Sequence, residues 1–98
     1  MRNYILDGTE PQLEPDLMTW ARWIETADRH VEDNTIGGVR VSTVFLGTDH
    51  GYLGNGPPVL FETMVFGGKH DQAQERYSTW DEAVAGHERM VAMVSNDA

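Results

Sequence analysis

The chain has 98 residues, 40% of them hydrophobic, and no cysteine, which predicts one domain with one modest core and excludes disulfides and thiolate metal sites. Its 16 acidic and 7 basic residues give a formal charge of −9, which disfavours direct nucleic-acid binding and favours attraction to basic protein surfaces. No apolar run is long enough for a membrane span, and the N-terminus resembles no signal peptide, so we expect a protein of a reducing cytoplasm.

The first third of the chain predicts a short strand and an amphipathic helix. Residues 1–15 contain the apolar run "NYIL", ended by "DG", and then two prolines, which indicates an edge strand followed by a connector. A helix is predicted over residues 16–33, with Asp16 as its cap. Its apolar face consists of Leu17, Trp20, Ala21, Ile24, Ala27 and Val31. Trp23 lies at the border of that face and is a candidate anchor for a partner protein.

The rest of the chain predicts a meander closed by a second helix. The segments "VRVSTVFL" and "VLFETMVF" alternate and are rich in β-branched residues, which indicates a long antiparallel hairpin over residues 39–66. A short strand is predicted at 74–78. The C-terminal helix is predicted over 79–94, where Thr79 and Glu82 have the spacing of a capping box. The order β-α-β-β-β-α predicts a two-layer α+β domain with both amphipathic helices on one face of the sheet.

The two long strands have apolar side chains on both faces. Odd-numbered positions are almost wholly apolar and suit the helices, but five of the eight even-numbered positions are apolar as well. The second face could be covered by the N-terminal segment or the long loop, or it could be an interface with a second copy or another partner. The candidate interface residues are Val44, Leu46, Leu60, Glu62, Met64 and Phe66.

The glycine-rich stretch "LGTDHGYLGNGPPVLFET" joins the two long strands. Its candidate binding residues are Asp49, His50, Tyr52 and Asn55. Glycines allow the backbone to approach a ligand closely, but the lysine and hydroxyl pair of a phosphate-binding loop is missing. Three interpretations stay open: a wide hairpin turn, a protein-contact loop and a catalytic loop.

The histidines and carboxylates suggest one candidate acid–base or metal set: Asp49, His50, Glu62, His70 and Asp71. A simple meander would place its two loops at opposite ends of the sheet, and no metal-binding spacing occurs, so neither a metal nor a cofactor is predicted. A weaker alternative is a metabolite-binding protein or metal-assisted hydrolase that uses His50 with Asp49 or Glu62. His87 lies on the apolar face of the last helix, where we expect a hydrogen-bonded core histidine.

The segments "STVFLG", "DH", "GPP", "LFETMVFGG" and "RYSTW", the last followed by "EA" and "GH", resemble short hypothetical proteins of tailed bacteriophages and prophages. The resemblance covers the last two-thirds of the chain, and "TWARW" in the first helix is similar too. It implies a phage accessory protein in the host bacterial cytoplasm, and it assigns no functional residue.

These observations favour a binding protein over an enzyme. We expect a homodimer that binds a basic host or phage protein, with inhibition of a host defence or nucleic-acid-handling protein as one outcome. A metabolite-binding or hydrolytic protein and a minor structural protein of the phage particle are the alternatives.

Overall fold

The computed structural model describes residues 2–51 and 56–96, which form two antiparallel sheets and two helices. The elements in chain order are β1 (Tyr4–Asp7), β2 (Glu10–Leu13), α1 (Leu17–Thr26), β3 (His30–Ile36), β4 (Val39–Phe45), β5 (Phe61–Phe66), β6 (Gln74–Tyr77) and α2 (Trp80–Asn96). Strands β3 to β6 pair in sequence order as a four-stranded meander, and β1 pairs with β2. The predicted α+β class, with an antiparallel meander and two helices, is confirmed, and β2 and β3 are additional strands.

The predicted helix over 16–33 is too long, because α1 ends at Thr26. Ala27 has an extended backbone and donates its N–H to the Trp23 carbonyl, which closes the last turn. The Asp28 carboxylate then accepts from the backbone N–H of His30, a local turn that competes with helix continuation. The chain from His30 onward pairs with β4, so tertiary pairing overrides the helical spacing of the apolar residues.

Two tight turns create the strands that the sequence analysis missed. Gly37 and Gly38 join β3 to β4 with φ values of 55° and 82°, as a two-residue type I′ turn requires. Gly8, with φ of 63°, begins the two-residue turn between β1 and β2. The predicted connector after β1 is therefore the second strand of a hairpin, and β1 is not an edge strand of the meander.

The N-terminal hairpin is attached to the end of the meander through backbone groups. The backbone N–H of Tyr4 donates to the Gly47 carbonyl at 2.8 Å, and Asn3 bridges to Thr48. The Trp20 indole N–H of α1 lies 3.2 Å from the Tyr4 carbonyl and 3.0 Å from the Gly47 carbonyl. Gly47 has φ of 80°, which L side chains rarely adopt, so this position favours glycine; a Cβ there would also lie 2.4 Å from Ile24 Cδ1.

Helix α2 covers one face of the meander. Its capping box forms as predicted, with the Thr79 hydroxyl accepting from the Glu82 N–H and the Glu82 carboxylate accepting from the Thr79 N–H. Met90 and Val94 pack with strand residues of β4 and β5, and Ala83 packs in the cluster that contains Phe45 and Phe61. In the described part of the chain, neither helix is long and apolar enough to cross a membrane.

Candidate functional site

The face of the meander opposite α2 is exposed. Helix α2 contacts all four strands, whereas no other described helix or strand makes an extensive contact with them. We call the residues on this side the open face: Asp33, Arg40, Val44, Glu62, Met64, Phe66 and Arg76. Phe66 is 42% exposed, Val44 and Met64 are partly exposed, and Ser42 between them is buried.

Two of the predicted interface residues lie outside the open face. Leu60 is only 1% exposed and belongs to the buried cluster that contains Tyr4 and Phe61, so its place in the predicted interface is wrong. Leu60 precedes β5, so the alternation of side chains between the two faces of that strand does not apply to it. The N-terminal hairpin packs against this end of the sheet. Leu46 follows β4, is partly buried, and donates its N–H to the Leu60 carbonyl at 2.7 Å.

The charged groups of the open face pair with one another. Arg40 Nη2 lies 2.6 Å from Asp33 Oδ2, and the guanidinium carbon lies 5.8 Å from the centre of the Phe66 ring. Arg76 Nε donates to Glu62 Oε2 at 2.9 Å. Arg40 holds the pKa of Asp33 below its usual value through a hydrogen bond. The open face therefore combines apolar side chains with a balanced set of charges.

Asp49 joins Gly51 and Val59, which lie on either side of residues 52–55. Its Oδ1 atom accepts from the backbone N–H of Gly51 at 2.8 Å and of Val59 at 2.9 Å. These bonds hold the pKa of Asp49 below its usual value, with Gly51 as the larger cause. A general base works best with a pKa near the working pH, so the lowered pKa makes Asp49 a poor general base. Its two hydrogen bonds suit it instead to a structural role in this segment. Tyr52 and Asn55, also predicted to bind, lie outside the described residues.

The predicted acid–base candidates are not brought together. His50 Nδ1 lies 2.9 Å from the Thr48 carbonyl, to which it donates, while Glu62 is engaged with Arg76. Asp71 accepts from the Gly67 N–H in the turn between β5 and β6. Within residues 2–51 and 56–96, no three histidine or acidic side chains form a group suited to a metal ion.

Trp23 is partly buried and packs its edge against Phe45, with ring centres 5.8 Å apart and planes at 86°. This contact ties α1 to the face of the meander that α2 covers. The prediction that Trp23 anchors a partner is not supported by this geometry, because the ring is engaged in the core.

A buried chain of hydrogen bonds links β6, β5, β4 and α2. The Tyr77 hydroxyl donates to Thr63 Oγ1 at 3.0 Å, Thr63 and Thr43 share a 2.5 Å hydrogen bond, and Thr43 Oγ1 lies 2.7 Å from His87 Nδ1. At the other end, His87 Nε2 lies 2.7 Å from Asn34 Oδ1. His87 is therefore the hydrogen-bonded core histidine that the sequence predicted, and its hydroxyl partners are newly identified.

The hydrogen-bond chain and the burial of His87 together favour a neutral imidazole. A donor order that runs from Tyr77 through Thr63 and Thr43 to His87 Nδ1 gives each hydroxyl one donor and one acceptor role. The imidazole is then neutral and carries its proton on Nε2, toward Asn34. Burial lowers the pKa of His87 below its usual 6.5, whereas nearby Glu32, Asp33 and Glu88 act in the opposite direction.

We expect the free energy of unfolding to increase as the pH rises through the window just below about 6.5, the usual pKa of histidine. In this window unfolded His87 binds more protons than folded His87, so the free energy of unfolding rises by at most about 1.4 kcal/mol per pH unit. The lowered carboxylate pKa values of Asp16, Asp33 and Asp49 contribute stability that is lost only as the pH falls through their usual 3.8 or so, and these groups therefore add little slope in this window. Urea unfolding of wild type and His87→Gln across this window measures the effect.

The variant retains the other three histidines, so their contributions cancel in the difference between the two proteins. Parallel stability curves for wild type and His87→Gln in the window just below about pH 6.5 would contradict the assignment of a neutral buried His87.

Comparison with known proteins finds no matching family profile, no matching curated sequence and no matching solved structure. The surfaces and contacts of this chain therefore carry what can be inferred of its function.

Proposed function

We propose that this protein acts by binding other proteins, and that a second copy of the chain covers its open face. The observation that carries this proposal is the side of the meander opposite α2, where Phe66 is 42% exposed beside partly exposed Val44 and Met64. Burying apolar surface is the main source of association free energy, and an uncovered apolar sheet face is a common contact surface.

Electrostatics favours a second copy as the occupant of the open face. The whole chain has a formal charge of −9, so most surfaces of two copies repel each other. On the open face, in contrast, Asp33 pairs with Arg40, and Glu62 pairs with Arg76. Two such faces can approach with little net repulsion, because each has already neutralised its charges.

The remaining acidic surface supports binding to a basic partner. Negative charge attracts basic proteins over long range and increases their association rates. Together with the resemblance to short phage proteins, this favours an accessory protein that binds a basic host or phage protein. Inhibition of a host defence or nucleic-acid-handling protein is the form of this function that we propose.

A charge placed on the open face is expected to separate the two copies. Phe66→Glu should raise the dimer dissociation constant at least about 100-fold, because two unpaired carboxylates would be buried across a symmetric interface. Sedimentation equilibrium of wild type and variant over a range of concentrations measures this change.

The control is Leu13→Glu, which introduces the same charge at another exposed leucine, 52% exposed and at the end of β2. We expect this control to dimerise like wild type. A wild-type chain that stays monomeric up to about 1 mM, or equal effects of the two variants, would contradict the proposed dimer.

A further inference from the structure

A groove of about 400 Å³ lies between the N-terminal hairpin and the start of α2. Its volume falls within the range of roughly 300–1,000 Å³ that ligand sites occupy. Three separate parts of the chain form it: the β1–β2 hairpin, the segment leading into β5 and the first turn of α2. The side chains important here are Tyr4, Glu10, Pro11, Pro58, Trp80 and Asp81.

Aromatic and proline rings form part of the wall of the groove, together with Leu60 and the hydroxyl residues Thr9, Ser78 and Thr79. Trp80 is held by an edge contact with Phe61, with ring centres 6.2 Å apart and planes at 89°. Tyr4 is 9% exposed and belongs to the core cluster that Trp80 packs against. Aromatic grooves of this kind bind polyproline II segments, which lose little entropy because they are extended before binding.

Two residues that line the groove carry polar groups available to a ligand. Within residues 2–51 and 56–96, neither the Trp80 indole N–H nor the Tyr4 hydroxyl has a hydrogen-bond partner. Every buried polar side-chain atom in that part of the chain does have one, so both groups are accessible to solvent. A polyproline II backbone has no internal hydrogen bonds, and its carbonyl oxygens can accept from such donors.

The charge of the groove favours a basic ligand. Glu10 and Asp81 line it, no lysine or arginine does, and neither carboxylate forms an ion pair with the described residues. A ligand with arginine or lysine would therefore be attracted, and an acidic ligand would be repelled.

We propose that this groove, which we call the Tyr4–Trp80 groove, binds an extended segment of a partner protein that contains proline flanked by a basic residue. This inference rests on the proposed protein-binding function and specifies the chemistry of the partner. The rings hold the prolines, the Trp80 N–H donates to a backbone carbonyl, and Glu10 and Asp81 receive the basic side chain.

The test is a titration of the full chain into a fluorescein-labelled peptide of about ten residues. The peptide has two prolines with two other residues between them, and an arginine at each end. We expect saturable anisotropy with a dissociation constant below about 1 mM. A second peptide with alanine in place of both prolines, and a third with glutamate in place of arginine, should each bind at least about fivefold more weakly.

Trp80→Phe retains a ring against Phe61 but removes the N–H donor, so it should weaken binding of the first peptide at least about fivefold. Trp23→Phe is the matched control: it makes the same change at an indole that packs on Phe45 outside the groove, and it should bind like wild type. Circular dichroism checks that both variants are folded.

Any one of three results would overturn the groove assignment. These are no saturable binding at about 1 mM protein, equal affinity for the three peptides, and equal affinity of wild type and the folded Trp80→Phe variant for the first peptide. Dimer formation through the open face is measured independently by sedimentation. Failure of the peptide titration with an intact dimer would remove this inference alone, whereas failure of both would remove the proposed function as well.

Discussion

Replacing Gly86 with alanine is expected to destabilise the protein by about 3 kcal/mol. Gly86 lies within α2, where alanine ordinarily stabilises a helix by about 1 kcal/mol relative to glycine. A Cβ at this position, however, would lie 2.1 Å from the Tyr77 hydroxyl oxygen and 2.2 Å from the ring carbon that bears it. The helix and β6 would have to separate, or the Tyr77 ring would have to leave its buried site. Urea unfolding of wild type and variant measures the cost.

Tyr77→Ala provides the internal control for Gly86→Ala. In the background without the ring, the same glycine substitution should cost much less, and the coupling between the two positions should reach about 2 kcal/mol. A Gly86→Ala variant that is more stable than wild type would show that helix propensity outweighs this contact, and the close packing of α2 on β6 would then be wrong.

His87→Ala is expected to destabilise the protein by about 3 kcal/mol at pH 7. The substitution leaves a cavity under α2 and removes the acceptor of Thr43, so the buried hydroxyls of Thr43 and Thr63 lose the end of their donor chain. Hydrogen bonds in a buried network strengthen one another, and a buried hydroxyl without a partner is costly. The loss of stability is therefore larger than that from removing one exposed hydrogen bond.

The matched control is His30→Ala, which removes a histidine whose side chain is 48% exposed. Its cost should stay below about 0.5 kcal/mol, since exposed substitutions rarely change stability more. Equal and small effects of the two histidine substitutions, measured by thermal or urea unfolding, would exclude an energetic role for the buried chain of hydrogen bonds.

The sequence allowed the elements with strong local signals to be predicted. The two central strands and the C-terminal helix lie close to their predicted positions, because alternation and the Thr79–Glu82 capping box are local features. Strand β3 was missed because Ala27 and Val31 continue the helical spacing of α1, although Gly37–Gly38 is itself a strong hairpin signal.

The contacts within the candidate site follow from the register of the strands, which the amino-acid composition does not indicate. Thr43 pairs with Thr63, and both face His87, an arrangement that follows only after the strand register and the helix face are known. The same alternation predicted most of the open face but failed for Leu60, which lies before β5 and packs with Tyr4. The groove joins Tyr4, Pro58 and Trp80 from distant parts of the sequence, and no local pattern indicates that they meet.

The N-terminal unit of β1, β2 and α1 has a weaker attachment than the rest of the molecule. Helix α1 has no fully buried residue, and the unit is connected to the meander chiefly through Tyr4, Trp20, Trp23 and the backbone at Gly47. Opening of this unit would separate one wall of the Tyr4–Trp80 groove from the other while the meander and α2 stayed folded. A bound segment that contacts both walls would stabilise the closed state of this unit. Occupancy of the groove would therefore slow amide exchange from β1 to the end of α1.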